Sequence, residues 1–309
     1  MFPALLATIM FSLSAVSATR TGRIMGGTEA NFWRLSLATI FLATWTWGFG
    51  AREFGSAFPI FFLSGCIGFG LGDVALFQAY PRLGTRLSIL LVHCLAAPFA
   101  SFTEWLWLGT KLTPTEIAAA VTILVGVAVA LAPGEHLTTP RRTLILGLIA
   151  GVVAAIGQAG GAVLSRVAYR LAQDDGQSID GLSAAFQRII GGVIVSGIAL
   201  LVVKRAALLK LGAPELSPQN ELLTSPEKWR RIRWWIVFNA LAGPTLGVGC
   251  YQWALQTTAT GVVLPIVALT PLVVVPFTAW LEGERPSLRS LLGGVIAVAG
   301  AVLLKLGSR

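Results

Sequence analysis

The sequence predicts an all-α, polytopic transmembrane bundle of ten helices in two inverted five-helix repeats. Three observations carry that expectation. Hydrophobic residues make up 55% of the 309 and charged residues only 12%, about half the charged share of a soluble domain, too few to cover a water-facing surface. Apolar runs of about 20 residues, the length that a bilayer core requires, recur along the chain. The later runs also echo the earlier ones.

Taken in order, the runs fall at about 3–19, 31–50, 57–79, 87–107, 115–133, 144–165, 184–203, 234–255, 260–281 and 290–306. Lipid cannot satisfy a sheet edge, and the runs are too long for barrel strands, so each reads as a helix. The first, MFPALLATIMFSLSAVSA, ends in a small-x-small pattern and has a signal-peptide alternative. It lacks Lys or Arg at its start and has a repeat partner, which favours a retained helix. PGEHLTTPRR at 133–142 marks the midpoint, giving a first repeat at 1–133, a linker at 134–143 and a second repeat at 144–309. QDDGQSID at 173–180 separates the sixth and seventh runs. The segment 204–233 closes with EKWRRIR, where Trp229, Trp234 and Trp235 suit an interfacial aromatic belt.

A formal charge of +9 raises a nucleic-acid reading, but the basic residues sit in short breaks between spans. Topology and anionic lipid are their expected business. Cys66, Cys94 and Cys250 lie inside apolar runs without CxxC spacing, so no metal site or disulfide framework is expected. No cofactor is expected either.

In the register that sets Gly126 on Gly300, LFQAY (76–80) meets CYQWA (250–254). Upstream the offset is smaller, pairing Arg34 with Arg188 and Arg20 with Arg166. Five spans per repeat oblige the second half to enter the membrane in the opposite sense, the geometry of alternating access. The competing view is ten unrelated helices with chance matches.

The stretch 251–304, with Pro271 inside the ninth run, Gly283-Glu284 after it and a glycine-containing last helix, resembles the EamA-type transporters of the drug/metabolite transporter superfamily. The resemblance covers 4–132 and 145–306. In the first repeat Thr110 stands where that family usually has the glutamate, and Pro98 is one place off register. Membership implies a ten-helix permease of the plasma membrane (the inner membrane in a prokaryote). It would export small metabolites or drug-like compounds through a central cavity, with proton coupling and a homodimer among the expectations. It also implies termini inside. The charge count points the other way: sixteen Lys and Arg follow odd-numbered runs against seven on the other side, which places 204–233 in the cytoplasm and both termini outside.

Polar groups at mid-span are costly and usually face a cavity or a protein partner. Asp73 sits deep in the third run, with Phe77 and Tyr80 on its face at i+4 and i+7. It is the candidate for a cationic substrate or a proton, with a static arginine partner as the alternative. Asn239, Gly247 and Tyr251 line the matching face of the eighth run, and Gly247 is the repeat mate of Asp73. Gln158, amid glycines, is the other substrate-binding candidate. His93 is a proton-coupling candidate or a packed neutral histidine. Gln78 and Gln252 are repeat-matched and suit ligand binding or interhelical hydrogen bonding. Pro265, Pro271 and Pro276 free carbonyls in the ninth run and mark hinges. Arg34 and Arg188, near helix starts, read as snorkelling anchors, and Glu104, beside Trp105 and Trp107, as interfacial. There is no GxxxxGK[ST] loop, no HExxH and no aspartate-rich pair. A transporter is therefore favoured over an intramembrane lipid or isoprenoid enzyme, and over a membrane sensor or scaffold.

Overall fold

A computed structural model describes residues 1–50, 54–131, 140–208, 225–273 and 288–307. Helices α1 (Phe2–Met25) and α2 (Gly27–Gly48) are joined by Gly26 alone. Its φ of 82° lies in the region that glycine enters at little cost. The polar stretch expected to form a loop between the first two spans is therefore helical up to a one-residue turn. Next come α3 (Phe58–Gly65), a π-helical segment (Cys66–Gly72) and α4 (Asp73–Leu108).

Contacts with α6 (Arg141–Asp174) show that α4 doubles back. Gly161 lies against Gly68, Gly157 against Gly72 and Gly147 against Leu83, an antiparallel course. Arg166 then bonds Glu104, and Arg170 bonds the Leu108 carbonyl, a parallel one. A straight helix would put residues 72 and 104 about 48 Å apart, whereas residues 157 and 166 are only about 14 Å apart. The chain reverses between Leu83 and Leu91, giving the expected third and fourth spans.

The remaining elements are α5 (Pro114–Leu131), α7 (Gly181–Leu208), α8 (Ser225–Ala240), a second π-helical segment (Leu241–Gly247), α9 (Val248–Thr257), α10 (Thr260–Val267) and α11 (Leu288–Gly307). With α8 and α9 as one pass through their π segment, and the ninth pass described as far as Val273, the described residues form ten helices and no strand. Of the proposed linker, residues 134–139 lie outside those described, and Arg141–Arg142 already belong to α6.

Polarity is arranged for lipid. On α5, Ile117, Val121 and Val125 are exposed while Ala119, Ile123 and Val127 are buried. On α1, Thr8, Ser12, Ser14 and Ser17 face inward. Four helical stretches, Phe2–Gly22, Phe58–Ala79, Arg141–Asp174 and Gly181–Arg205, are long and apolar enough to cross a bilayer, and three shorter apolar ones accompany them. This is an integral, multi-pass membrane protein.

Small residues set the closest helix contacts. A Cβ on Gly126 would stand 2.4 Å from the Ala297 nitrogen, and one on Gly300 would stand 2.8 Å from the Ile123 nitrogen. The stretch 119–130 thus meets 293–300 in reverse order, so α5 and α11 are antiparallel. The first π segment packs on α6 and α7, the second on α1 and α2. In the ninth pass the helix breaks at Ala268–Leu269, between Pro265 and Pro271. Pro271 has no amide for the Val267 carbonyl, and the Thr270 hydroxyl donates to it instead at 2.6 Å. Thr8 and Ser12 of α1 donate to the Ile266 and Thr270 carbonyls. Pro276 lies outside the described residues.

Candidate functional site

The residues singled out from sequence fall into two groups. Asp73 and Phe77 meet α2: Asp73 Oδ2 accepts from Arg34 Nη2 at 2.9 Å, and the Phe77 ring lies against Gly27. Arg34 also donates from Nε to Asn31 Oδ1 at 2.8 Å, and Asn31 reaches Ser196 of α7. This is the static-partner alternative for Asp73. The side chain of Tyr80 lies outside the described residues. The second group meets α1. Ser14 donates to Asn239 at 2.6 Å, Gly247 abuts Phe11, and the Tyr251 ring makes an edge contact with Phe11 at 6.2 Å. Gln158 is half-buried, its backbone beside Gly72. His93 is half-buried in α4. Gln78 accepts from Arg82 of its own helix.

Two sequence readings need correction. Arg188 does not snorkel to an interface: it is 4% exposed, held in the interior where α6, α7, α9 and the first π segment converge. The Gln252 amide is oriented with its oxygen toward Arg188, where it accepts from Nη1 at 2.9 Å and Nε at 3.2 Å. Ser165, hydrogen-bonded to Ser64 at 2.9 Å, also reaches that oxygen. The guanidinium lies over the Phe69 ring at 5.1 Å. Arg34 likewise turns inward to Asp73. The sequence signal was available, since an arginine inside an apolar span calls for a functional reading by default.

Glu104 is not interfacial either. It is 1% exposed, bonds Arg166 Nε at 3.0 Å and accepts from the Thr260 amide and hydroxyl. Arg166 also donates to the Leu255 carbonyl. One carboxylate thereby ties α4, α6, α9 and α10 together. Long-range hydrogen bonding of this kind leaves no trace in local sequence.

Near this end, a pocket of about 450 Å³ opens between the start of α7 and α9, lined by residues that include Asp180, Gly249, Trp253 and Gln256. It contains none of the residues expected from sequence. Asp180 caps α7. Its partial burial raises the carboxyl pKa, but hydrogen bonds from Ser183, Trp45 and Leu182 outweigh this and hold it below the usual carboxylate range. Among the described residues no cluster of His, Cys, Asp or Glu is suited to a metal.

The EamA-like transporter family model matches residues 1–132 and 145–306. The chain belongs to the EamA-like transporter family. This EamA-like protein is accordingly a secondary transporter of the permease kind rather than an enzyme. No curated protein matches it. A solved crystal structure is similar over 100% of this chain and 96% of its own, with 18% identity and a TM-score of 0.71; that likeness bears on the fold alone.

Proposed function

We propose that the protein moves small organic solutes across the plasma membrane by alternating access between two inverted halves, 1–133 and 144–309, joined at 134–143. The observation that carries this reading is the exchange made by the two π segments. Cys66–Gly72 belongs to the first half and Leu241–Gly247 to the second, and each packs on the first two helices of the opposite half. Gly72 lies against Gly157, and Gly247 lies against Phe11. Gly72 and Gly247 both end their π segments, while Phe11 and Gly157 correspond in the register that pairs Arg20 with Arg166. A two-fold relation between halves produces such reciprocity. The antiparallel α5–α11 contact supports an axis in the membrane plane, because a two-fold axis along the helices would leave them parallel. Halves so related allow one packing to open to either side, and the break between Pro265 and Pro271 supplies a hinge.

Proton coupling through Asp73 would require Arg34 to release it during the cycle. The test is an uptake and efflux screen in proteoliposomes, with and without an imposed proton gradient, across anionic, neutral and cationic metabolites and drugs. Flux above empty liposomes for one class is expected. Silence across the panel in both directions overturns the reading.

A further inference from the structure

The two halves differ in charge where their π segments end. Helices α2 and α7 start at Gly27 and Gly181, and Arg34 and Arg188 each stand seven positions further on. In the first half Asp73, which directly follows the π segment, neutralises Arg34 at 2.9 Å. The second π segment ends at Gly247 and is followed by Val248, and neither carries charge. Arg188 is the more buried arginine, yet among the described residues no carboxylate forms an ion pair with it; Asp73, already paired with Arg34, acts on it only from beyond ion-pair distance.

Around it stand groups suited to an oxyanion. The hydroxyls of Tyr169 and Tyr251 are buried without a hydrogen-bond partner, and the two residues are only 2% and 6% exposed. Both are near enough to Arg188 to interact with it electrostatically. Orphaned buried hydroxyls are uncommon and call for an explanation. Gly68 and Gly161 flank Nη2, which a Cβ on either would approach to 3.1 Å. Gln252 occupies Nε and Nη1 on one side of the guanidinium, and the five donors of that group exceed what one amide oxygen can accept.

We propose that Arg188 is the substrate-binding cation and that the solute carried is a small organic monoanion. Its carboxylate takes the place that Asp73 fills in the other half, accepting from the guanidinium and from the Tyr169 and Tyr251 hydroxyls. The proposal rests on the transport reading above and specifies its substrate class. With one buried cation, and with Asp73 acting on Arg188 and Glu104 on Tyr251 from further away, a monoanionic carboxylate is favoured over a phosphate dianion. Guanidinium and carboxylate also match in planar geometry. Cationic solutes would meet Arg188 as a like charge, so Asp73 acts as the internal counterpart of the ligand rather than as its receptor.

The test is thermal unfolding of the purified full-length protein in detergent at constant ionic strength. The probes are acetate, hexanoate and benzoate, compared with acetamide, hexanamide and benzamide, and with benzylamine. At least one carboxylate should raise Tm in a saturable way while its amide and the amine do not. Arg188→Gln should lose the response, and Tyr251→Phe or Tyr169→Phe should weaken apparent affinity about tenfold, as loss of one hydrogen bond to a charged group implies. If Arg188→Gln does not fold, Arg188→Lys and the two tyrosine variants carry the comparison. No response to any carboxylate, an equal response to the amides, or carboxylate shifts unchanged in every variant overturns the proposal. Because this readout needs no flux, the two readings fail separately. Carboxylate binding without transport removes the transport reading alone. Transport of neutral or cationic solutes without carboxylate binding removes this one alone.

Discussion

Gly126 and Gly300 exchange neighbours across one helix contact. Gly126 lies against Gly293 and Ala297, while Gly300 lies against Ala119 and Ile123. Each set maps onto the other in the register that lays LFQAY on CYQWA. Small residues allow the backbones of α5 and α11 to approach closely where lipid gives no hydrophobic drive for association.

Equivalence of the two glycines predicts equivalent damage. Gly126→Leu and Gly300→Leu should each lower Tm through the destabilisation of roughly 1–3 kcal/mol that is typical of overpacking. The pair should cost less than the sum, because once the helices are apart the second side chain meets open space. Thermal unfolding of both singles and the double checks this. A large loss at one site with none at the other would contradict a two-fold contact.

The Arg34–Asp73 pair predicts a structural phenotype. Asp73→Asn leaves a mostly buried guanidinium without its counter-ion, and breaking a buried pair costs about 3 kcal/mol. We expect Tm to fall while transport per monodisperse molecule persists, and Arg34→Gln in the same background to restore part of the loss. Loss of transport at unchanged Tm would return Asp73 to the mechanism.

Asp180 predicts an acid limit. Its carboxyl is held below the ordinary value near 3.8 in the folded state, so the capping interaction is fully present above that value. It is lost as pH falls through the lower folded value. Melting curves of wild type and Asp180→Asn in detergent should differ from neutral pH down to about pH 4 and converge below it. Curves that differ equally at every pH would assign the effect to packing.

Charge distribution predicts topology. The sixteen-to-seven excess places 204–233 in the cytoplasm, much of it outside the described residues. A single cysteine at Ser217 in a cysteine-free background should resist an impermeant reagent in intact cells and react after lysis. Modification in intact cells would reverse the assignment.

Spans and their number were legible in the sequence because lipid enforces runs of one length. The fold around Asp73 was half legible. Burial depth pointed to a partnered carboxylate, but the choice between solute and Arg34 depends on how α2 meets α4. Arg188 and Glu104 were misread for a related reason. Their distance from a helix end in sequence resembles that of an anchor, and only the packing of four elements around each makes it interior. The turn at Gly26 was missed because polar residues that usually mark a loop continue the helix there.

A buried arginine also imposes an order on biogenesis. The chain is synthesised from its N-terminus, so α7 is inserted before α9 exists and Arg188 first meets lipid without Gln252. A charged residue at a span's centre costs about 2.5–3.5 kcal/mol during insertion. Only two turns from the helix start, about 10 Å, the side chain can still extend toward the headgroups. Maturation then consists of withdrawing that charge from the bilayer surface as α9 arrives, so a late step of assembly, rather than insertion of α7 itself, creates the cationic interior.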